Sequence, residues 1–240
     1  MKILVLQHVE IEHPAIFRTF LEEDGHTYDT VHIWNGDSFP PLDDYDALWV
    51  LGGPMDTWEE EEHPWLVEEK KFIQQAVEVR GMPYLGLCRG HQLLAEALGG
   101  KVGKSAQPEI GVMEVQLTEE GAGGVFLDGI PERFNALQWH GAEVQKLPAG
   151  ASVLATSPLC AVQAMKWGPR AFSVQFHVEL ESDTVPGWNT IPTYRDALEN
   201  ALGAGAATKL AADCDAQMSV MNANAERIYI NWMQCAAQAR

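Results

Sequence analysis

Short apolar segments alternate with amphipathic ones along the amino-terminal part of the chain, and this alternation limits the folds that the chain can adopt. The runs Lys2 to Gln7, Ala47 to Leu51 and Pro83 to Leu87 have the length and composition of buried strands. Helical patterns lie between them, at Pro14 to Asp24 and Pro64 to Arg80. This order predicts an α/β fold: a three-layer, doubly wound, mainly parallel sheet, with ligands bound beyond the carboxyl ends of its strands.

The pattern changes in the second half of the chain, where strand-like runs follow one another. They lie at Val112 to Leu117, Cys160 to Trp167 and Ala171 to Phe176, and they predict a mixed-strand extension of the sheet. The end of the chain has helical periodicity. We therefore predict a single domain over residues 1–240, in which residues 185–240 form a C-terminal helical extension.

Charge and cysteine content exclude several classes of function. The chain has 34 acidic and 16 basic residues, and its formal net charge of −18 repels nucleic-acid phosphates and anionic lipids. No apolar run approaches the roughly 20 residues of a membrane-spanning helix, and no secretory segment is recognisable. The four cysteines contain no Cys-x-x-Cys pair. We expect a cytoplasmic protein with reduced thiols that binds neither nucleic acid nor membrane.

Cys88 stands between an apolar strand and an amphipathic helix, with Gly86 and Gly90 two residues away on either side. A sharp strand-to-helix turn of this kind exposes its central side chain and strains its backbone. The positive end of the helix dipole favours a thiolate there. The turn therefore indicates that Cys88 is a nucleophile. The alternative is that Cys88 is simply a buried apolar side chain, as most free cysteines are.

A thiol nucleophile needs an imidazole to move its proton and a third group to orient that imidazole. His177 and Glu179 follow a strand-like run two residues apart, so strand alternation places both side chains on one face. Taken alone, the pair could be an ordinary structural ion pair. Together with Cys88, it is a candidate catalytic triad.

Three motifs in order resemble those of the class I glutamine amidotransferase family, in particular the glutaminase domain of GMP synthetases and its free-standing relatives. Gly86 to Gln92 matches Gly-x-Cys-x-Gly-x-Gln, and Gly52-Gly53-Pro54 matches the oxyanion loop of the family. Gln175 to Glu179 matches Gln-Phe-His-Pro-Glu, except that Val178 replaces the proline. The resemblance implies a flavodoxin-like fold and the triad Cys88, His177 and Glu179.

The resemblance also implies roles for residues around the triad. The backbone N–H groups of Gly53 and Arg89 would form the oxyanion hole. Gln92 would help to hold the substrate, and a loop at His140 and Gly141 would contact its amino-acid end. His140 could instead be purely structural.

The implied reaction is hydrolysis of a γ-glutamyl amide, glutamine to glutamate and ammonia, through a γ-glutamyl thioester. We expect no cofactor, and no metal, because the histidines at 8, 13, 26, 32 and 63 lack metal-ligand spacing. Too little chain remains for an ATP-using acceptor domain, so ammonia would pass to a separate synthase chain. Two alternatives stay open: a free-standing γ-glutamyl hydrolase or peptidase acting on γ-glutamyl amines or peptides, and a non-catalytic binding or regulatory protein on the same fold.

Overall fold

The computed structural model describes residues 1–237, and all its strands belong to one sheet. The strands are β1 (Lys2–Gln7), β2 (Thr27–His32), β3 (Ala47–Val50), β4 (Tyr84–Leu87), β5 (Lys101–Leu117), β6 (Arg133–Lys146), β7 (Ala151–Thr156), β8 (Ala164–Trp167) and β9 (Ala171–Val174). The helices are α1 (Phe17–Glu23), α2 (Trp65–Gln74), α3 (Arg89–Ala97), α4 (Glu119–Ala122), α5 (Thr184–Trp188), α6 (Pro192–Leu202) and α7 (Ala206–Ala237).

The sheet has the strand order β2-β1-β3-β4-β9-β8-β7-β5-β6. Strands β2, β1, β3, β4 and β9 pair in parallel, whereas β8, β7, β5 and β6 pair antiparallel. The predicted α/β class is confirmed, with a parallel half and an extension that turns the whole into a large mixed sheet. Because β3, β4 and β9 are neighbours, the segments that follow them meet at one edge.

Apolar side chains cover both faces of the parallel half. Helices α2 and α3 pack on one face through residues such as Ile73 and Leu93. Helices α1 and α7 cover the other face, where the fully buried Trp232 lies edge-on to Trp49 with ring centroids 5.3 Å apart. Trp232 also donates its indole N–H to the carbonyl oxygen of Tyr84 at 2.9 Å. The long C-terminal helix thus shares the core of the sheet.

The antiparallel extension differs most from the sequence-based expectation. Strands β6 and β7 are absent from the predicted segments, and β5 begins at Lys101 instead of Val112. The prediction of a loop at His140 and Gly141 is wrong. Both residues lie in β6, where His140 is paired with Glu109 in the two-stranded ribbon that β5 and β6 form. Polar and charged residues interrupt the apolar alternation in this ribbon, so its strand signal is weak.

The C-terminal part of the chain is helical up to Ala237, with a break between α6 and α7. The predicted helical tail extends to residue 240, and its last three positions lie outside the described residues. None of the helices in residues 1–237 combines the length and the apolar character needed to cross a membrane.

Candidate active site

Cys88 lies at a sharp turn between β4 and α3 and has the strained backbone angles φ 51° and ψ −101°. A Cβ atom on Gly86 would come within 2.6 Å of the carbonyl oxygen of Gly90, and one on Gly90 within 2.0 Å of that of Val50. Only glycine fits at either position, so the turn depends on both. Cys88 is 7% exposed, less than expected from the sequence for such a turn.

His177 and Glu179 follow β9 and face each other. His177 Nδ1 donates to Glu179 Oε1 at 2.6 Å, and the backbone N–H of Val178 donates to Glu179 Oε2 at 2.9 Å. The edge of Trp188, from α5, contacts the His177 ring at a centroid distance of 4.7 Å. The ring is therefore held in one orientation and shielded from water.

The structure brings this pair next to Cys88, close enough for the thiol to influence the pKa of His177. Burial disfavours the imidazolium, but the charges of Glu179 and Cys88 and the hydrogen bonds with both outweigh it. The pKa of His177 is thus raised well above its ordinary value. Burial also opposes ionisation of Glu179, yet His177 and the backbone donors lower the pKa of this carboxyl. The two shifts favour a proton on the imidazole and a negative charge on the Glu179 carboxyl beside it.

Gly53 and Arg89 line the same cavity as Cys88. Their backbone N–H groups donate no hydrogen bond to any acceptor within residues 1–237. Arg89 is the first residue of α3, where a helix leaves its amides unpaired. Two free donors near a nucleophile are what a developing oxyanion requires.

The other predicted site residues also line this cavity. Gln92 donates to the carbonyl oxygen of Ala142 at 3.1 Å and to Gln175 Oε1 at 3.0 Å, and Gln175 in turn donates to Cys88 Sγ at 3.5 Å. His140 Nδ1 donates to the same Ala142 carbonyl at 3.0 Å, and Gly141 lies beside it. The substrate-contact candidates are therefore held by an amide network that ends at the thiol.

The cavity has a volume of ≈ 410 Å³, and one of its walls was not anticipated from the sequence. Helix α6 supplies this wall with Tyr194, Ala197 and Asn200, among others, while the loop at Met55 and Asp56 lies on the rim. Burial raises the pKa of Asp56, and the nearby Glu59 adds to the effect. The C-terminal helices thus form part of the site.

Glu12 is a buried carboxylate that sequence reasoning missed. It follows β1, is 5% exposed and accepts a hydrogen bond from the hydroxyl of Tyr194. A Cβ atom on Gly52 would come within 1.8 Å of Glu12 Oε2, so this side chain packs directly against the loop. Its position after a parallel strand was the one available signal, because ligand-binding groups collect at that edge.

A second buried cluster, of Glu109, His140 and Cys160, brings three metal-ligand types within 4.8 Å of one another. Glu109 already accepts from Ser157 and Gln163 and lies 3.2 Å from His140 Nε2. Burial raises the pKa of Cys160 to about 12, which opposes the thiolate that a metal binds. The hydrogen bonds of Glu109 and the raised pKa of the thiol therefore argue against a metal site at this cluster.

Comparisons with known proteins match the chain to one family. Residues 19–185 match the family model described as glutamine amidotransferase class-I. The glutamine amidotransferase-like protein YfeJ of Salmonella typhimurium is 31% identical over 191 residues, which cover 78% of this chain and 79% of that protein. A glutamine-hydrolysing GMP synthase subunit from Archaeoglobus fulgidus is 30% identical over 190 residues, 75% of this chain and 94% of that one. The crystal structure of a glutamine amidotransferase from Thermotoga maritima superimposes with a TM-score of 0.85 at 28% identity, covering 98% of both chains.

Proposed function

Because the chain belongs to the class I glutamine amidotransferase family, we propose that it hydrolyses a γ-glutamyl amide with Cys88 as nucleophile, His177 as proton carrier and Glu179 as orienting group. This proposal rests on the arrangement of the three side chains. Cys88 lies at a strained turn beside the cavity, and the hydrogen-bonded pair of His177 and Glu179 lies next to it. Glutamine, which would yield glutamate and ammonia, is the first candidate substrate.

The first half of the reaction forms a thioester. The Cys88 thiolate attacks the γ-carboxamide carbon, a C–S bond forms, and the carbonyl oxygen becomes an oxyanion. The imidazolium of His177 gives its proton to the amide nitrogen, the C–N bond breaks, and ammonia or an amine leaves. The raised pKa of His177 suits this step, because the proton is available before the attack.

The second half releases glutamate. Neutral His177 takes a proton from a water molecule, whose oxygen attacks the thioester carbon. Collapse of this second oxyanion breaks the C–S bond and returns the thiolate and the imidazolium. In both halves the N–H groups of Gly53 and Arg89 would stabilise the oxyanion, and loss of one such donor typically lowers the rate by about 10²–10³.

The remaining site residues would hold the substrate. Gln92, Gly141 and His140 line the cavity next to the thiol and are our candidates for contacts to the amino-acid end of the γ-glutamyl group. The contact of His140 Nε2 with Glu109 at 3.2 Å equally supports a structural role for this histidine. No step of the proposed reaction calls for a metal or cofactor.

The fate of the leaving group separates two versions of the function. One relative is named as a subunit of a GMP synthase, which supports a separate ammonia-accepting chain for this protein as well. The cavity of ≈ 410 Å³ supports the second version, a γ-glutamyl hydrolase or peptidase, because pockets of about 300–1,000 Å³ accept ligands larger than glutamine. We further propose that it acts in the cytoplasm as one domain, consistent with its four free thiols and the shared core of α7.

A substrate panel tests the proposal. Wild type and Cys88→Ser would be incubated with glutamine, a γ-glutamyl amine and a γ-glutamyl dipeptide, and glutamate, ammonia and free amine would be measured. Release of glutamate from any of them by wild type, and none by Cys88→Ser, is the expected result. Ammonia release from glutamine alone selects the first version, and amine release selects the second. If wild type turns over none of these substrates, even when candidate synthase chains are added, the remaining interpretation is a non-catalytic binding or regulatory protein.

A further inference from the structure

The loop that carries Gly53 is anchored at two of its carbonyl oxygens by buried side chains. His8, which follows β1, donates from Nδ1 to the carbonyl oxygen of Gly52 at 2.7 Å. The guanidinium of Arg89 donates from Nη1 to the carbonyl oxygen of Met55. The loop is thereby held on both sides of Gly53.

The first anchor bears directly on the orientation of the Gly53 N–H group. The carbonyl of Gly52 and the N–H of Gly53 belong to one peptide unit, and residues 1–237 contain no cis peptide bond. In a trans peptide these two groups point in opposite directions. A hydrogen bond that holds the Gly52 carbonyl toward His8 therefore holds the Gly53 N–H toward the opposite side.

Glycine at both positions makes such an anchor necessary. Glycine has access to more backbone conformations than any other residue, so Gly52-Gly53 has no side chain that would favour one orientation of the peptide. Side chains cannot be added, since a Cβ atom on Gly53 would lie 2.8 Å from the Cβ of His8. The orientation must be set from outside the loop.

Glu69 of α2 fixes the ring that provides the anchor. His8 Nε2 lies 2.8 Å from Glu69 Oε1, and both side chains are completely buried. Trp65 stacks on the ring with centroids 5.8 Å apart. A carbonyl oxygen only accepts hydrogen bonds, so Nδ1 is the donor to Gly52, and Nε2 makes the hydrogen bond with Glu69. The ring therefore cannot turn without loss of both contacts.

We propose that His8 is a positioning residue for the oxyanion hole and that Glu69 is its orienting partner. The pair holds the peptide between Gly52 and Gly53 in the orientation in which the Gly53 N–H can meet the developing oxyanion. His8 itself touches no reacting atom. This inference rests on the proposed function and adds to it a pair of residues, 61 positions apart, that lies outside the three sequence motifs.

Two substitutions of His8 separate its two hydrogen bonds. In His8→Asn the amide nitrogen can occupy the place of Nδ1 and still donate to the Gly52 carbonyl, but it cannot reach Glu69. In His8→Gln the amide reaches toward Glu69 and loses the Gly52 carbonyl. Both variants carry a neutral primary amide, so each is the matched control for the other.

Measurements of kcat, of KM and of the rate of Cys88 alkylation distinguish a role in the oxyanion hole from a role in substrate binding or in the reactivity of the thiol. Because the oxyanion forms only in the transition state, we expect His8→Gln to lower kcat by about 10- to 100-fold with little change in KM. His8→Asn should retain a kcat at least about fivefold above that of His8→Gln. Alkylation of Cys88 by iodoacetamide displaces iodide without forming an oxyanion, so its rate should be similar in both variants.

The outcomes distinguish failure of this inference from failure of the proposed function. If wild type hydrolyses a γ-glutamyl amide but both variants have the same kcat, or if KM alone rises, the positioning role is wrong. If both variants lose activity and Cys88 alkylation together, His8 acts on the triad or the fold, which also refutes the inference. If wild type is inactive on the whole substrate panel, the proposed function itself has failed. Should His8→Asn not fold because Glu69 is left unpaired, Glu69→Gln is added to both variants, and the two double variants are compared with each other.

Discussion

The hydroxyl of Tyr194 donates a hydrogen bond to Glu12, and this contact joins helix α6 to the segment that follows β1. Burial raises the pKa of Glu12, which the hydrogen bond from Tyr194 and the charges of His177, His8 and Arg89 only partly offset. The Glu12 side chain is thus close enough to interact with charged groups of the site, but it has no role in the proposed chemistry. Its contacts with α6 and with Gly52 connect the cavity wall to the oxyanion loop.

Replacement of the nucleophile should remove activity without unfolding the protein. We expect Cys88→Ala and Cys88→Ser to abolish hydrolysis and to shift the unfolding midpoint by less than about 3 °C, because little side-chain volume is lost. A diazoketone analogue of glutamine should label Cys88 alone. Burial raises the pKa of Cys160 and Cys214 to about 12, so these thiols are poor nucleophiles. Peptide mass spectrometry that finds the label chiefly on either of them would contradict the assignment.

The two partners of the nucleophile should differ in importance. Glu179→Gln keeps a group that can accept from His177 Nδ1 but removes its charge, whereas His177→Ala removes the proton carrier itself. By analogy with serine hydrolases, we expect Glu179→Gln to lose on the order of 10⁴ in kcat and His177→Ala at least about tenfold more. Steady-state kinetics on the best substrate of the panel measure this order. Small and equal losses would show that this pair is not the proton-transfer machinery.

The raised pKa of His177 also predicts a pH dependence of stability. The folded protein keeps the His177 proton above pH 6.5, the ordinary value, where the unfolded chain releases it. The resulting stabilisation is complete below that pH and is lost as the pH rises through the folded-state pKa. Between about pH 7 and 9.5, the Tm of wild type should therefore fall more steeply than that of His177→Asn.

His91 provides a matched control for this measurement. Burial lowers its pKa to about 3, so it is neutral in both states across the tested range. His91→Asn should change the Tm but leave its slope against pH as in wild type. Parallel curves for wild type and His177→Asn would mean that His177 is not held protonated.

The C-terminal helix should contribute to the stability of the whole chain. Trp232 is fully buried, packs on Trp49 and donates to the Tyr84 carbonyl. We expect Trp232→Ala to lower the free energy of unfolding by about 3–5 kcal/mol in denaturant titrations. Val220→Ala, at a 52% exposed position of the same helix, should change it by less than about 0.5 kcal/mol. A separate unfolding transition for the helix would contradict the proposed single domain.

Sequence reasoning reached the parts of the site that are local in the chain. His177 and Glu179 are two residues apart, and the strained turn at Cys88 is encoded by glycines within two residues of it. The parallel strands β1, β3 and β4 were predicted because each is a continuous apolar run. These features depend on neighbouring residues, which a periodicity or a motif can detect.

The missed parts depend on contacts between distant segments. Tyr194 and Glu12 are 182 positions apart, and His8 and Glu69 are 61 apart, so no spacing rule connects either pair. The position of α6 over the cavity follows from how the C-terminal helices pack on the sheet, which the apolar stripe of a helix does not specify. The mixed polarity of the β5–β6 ribbon likewise concealed the strand that carries His140.

The wall that α6 forms should select the substrate, and Ala197 tests this directly. Its side chain lines the cavity, so Ala197→Leu adds volume where a leaving group larger than ammonia would lie. We expect kcat/KM for a γ-glutamyl dipeptide to fall by about 10-fold or more, and that for glutamine by less than about threefold, since overfilling a pocket penalises the larger ligand first.

The control is Ala216→Leu, the same substitution at an exposed position of α7 that does not line the cavity. Both variants would be compared with wild type on glutamine and on the dipeptide under identical conditions. Equal losses on the two substrates in Ala197→Leu would show that the leaving group does not lie against α6, and unchanged constants on both would show that this wall does not limit the substrate.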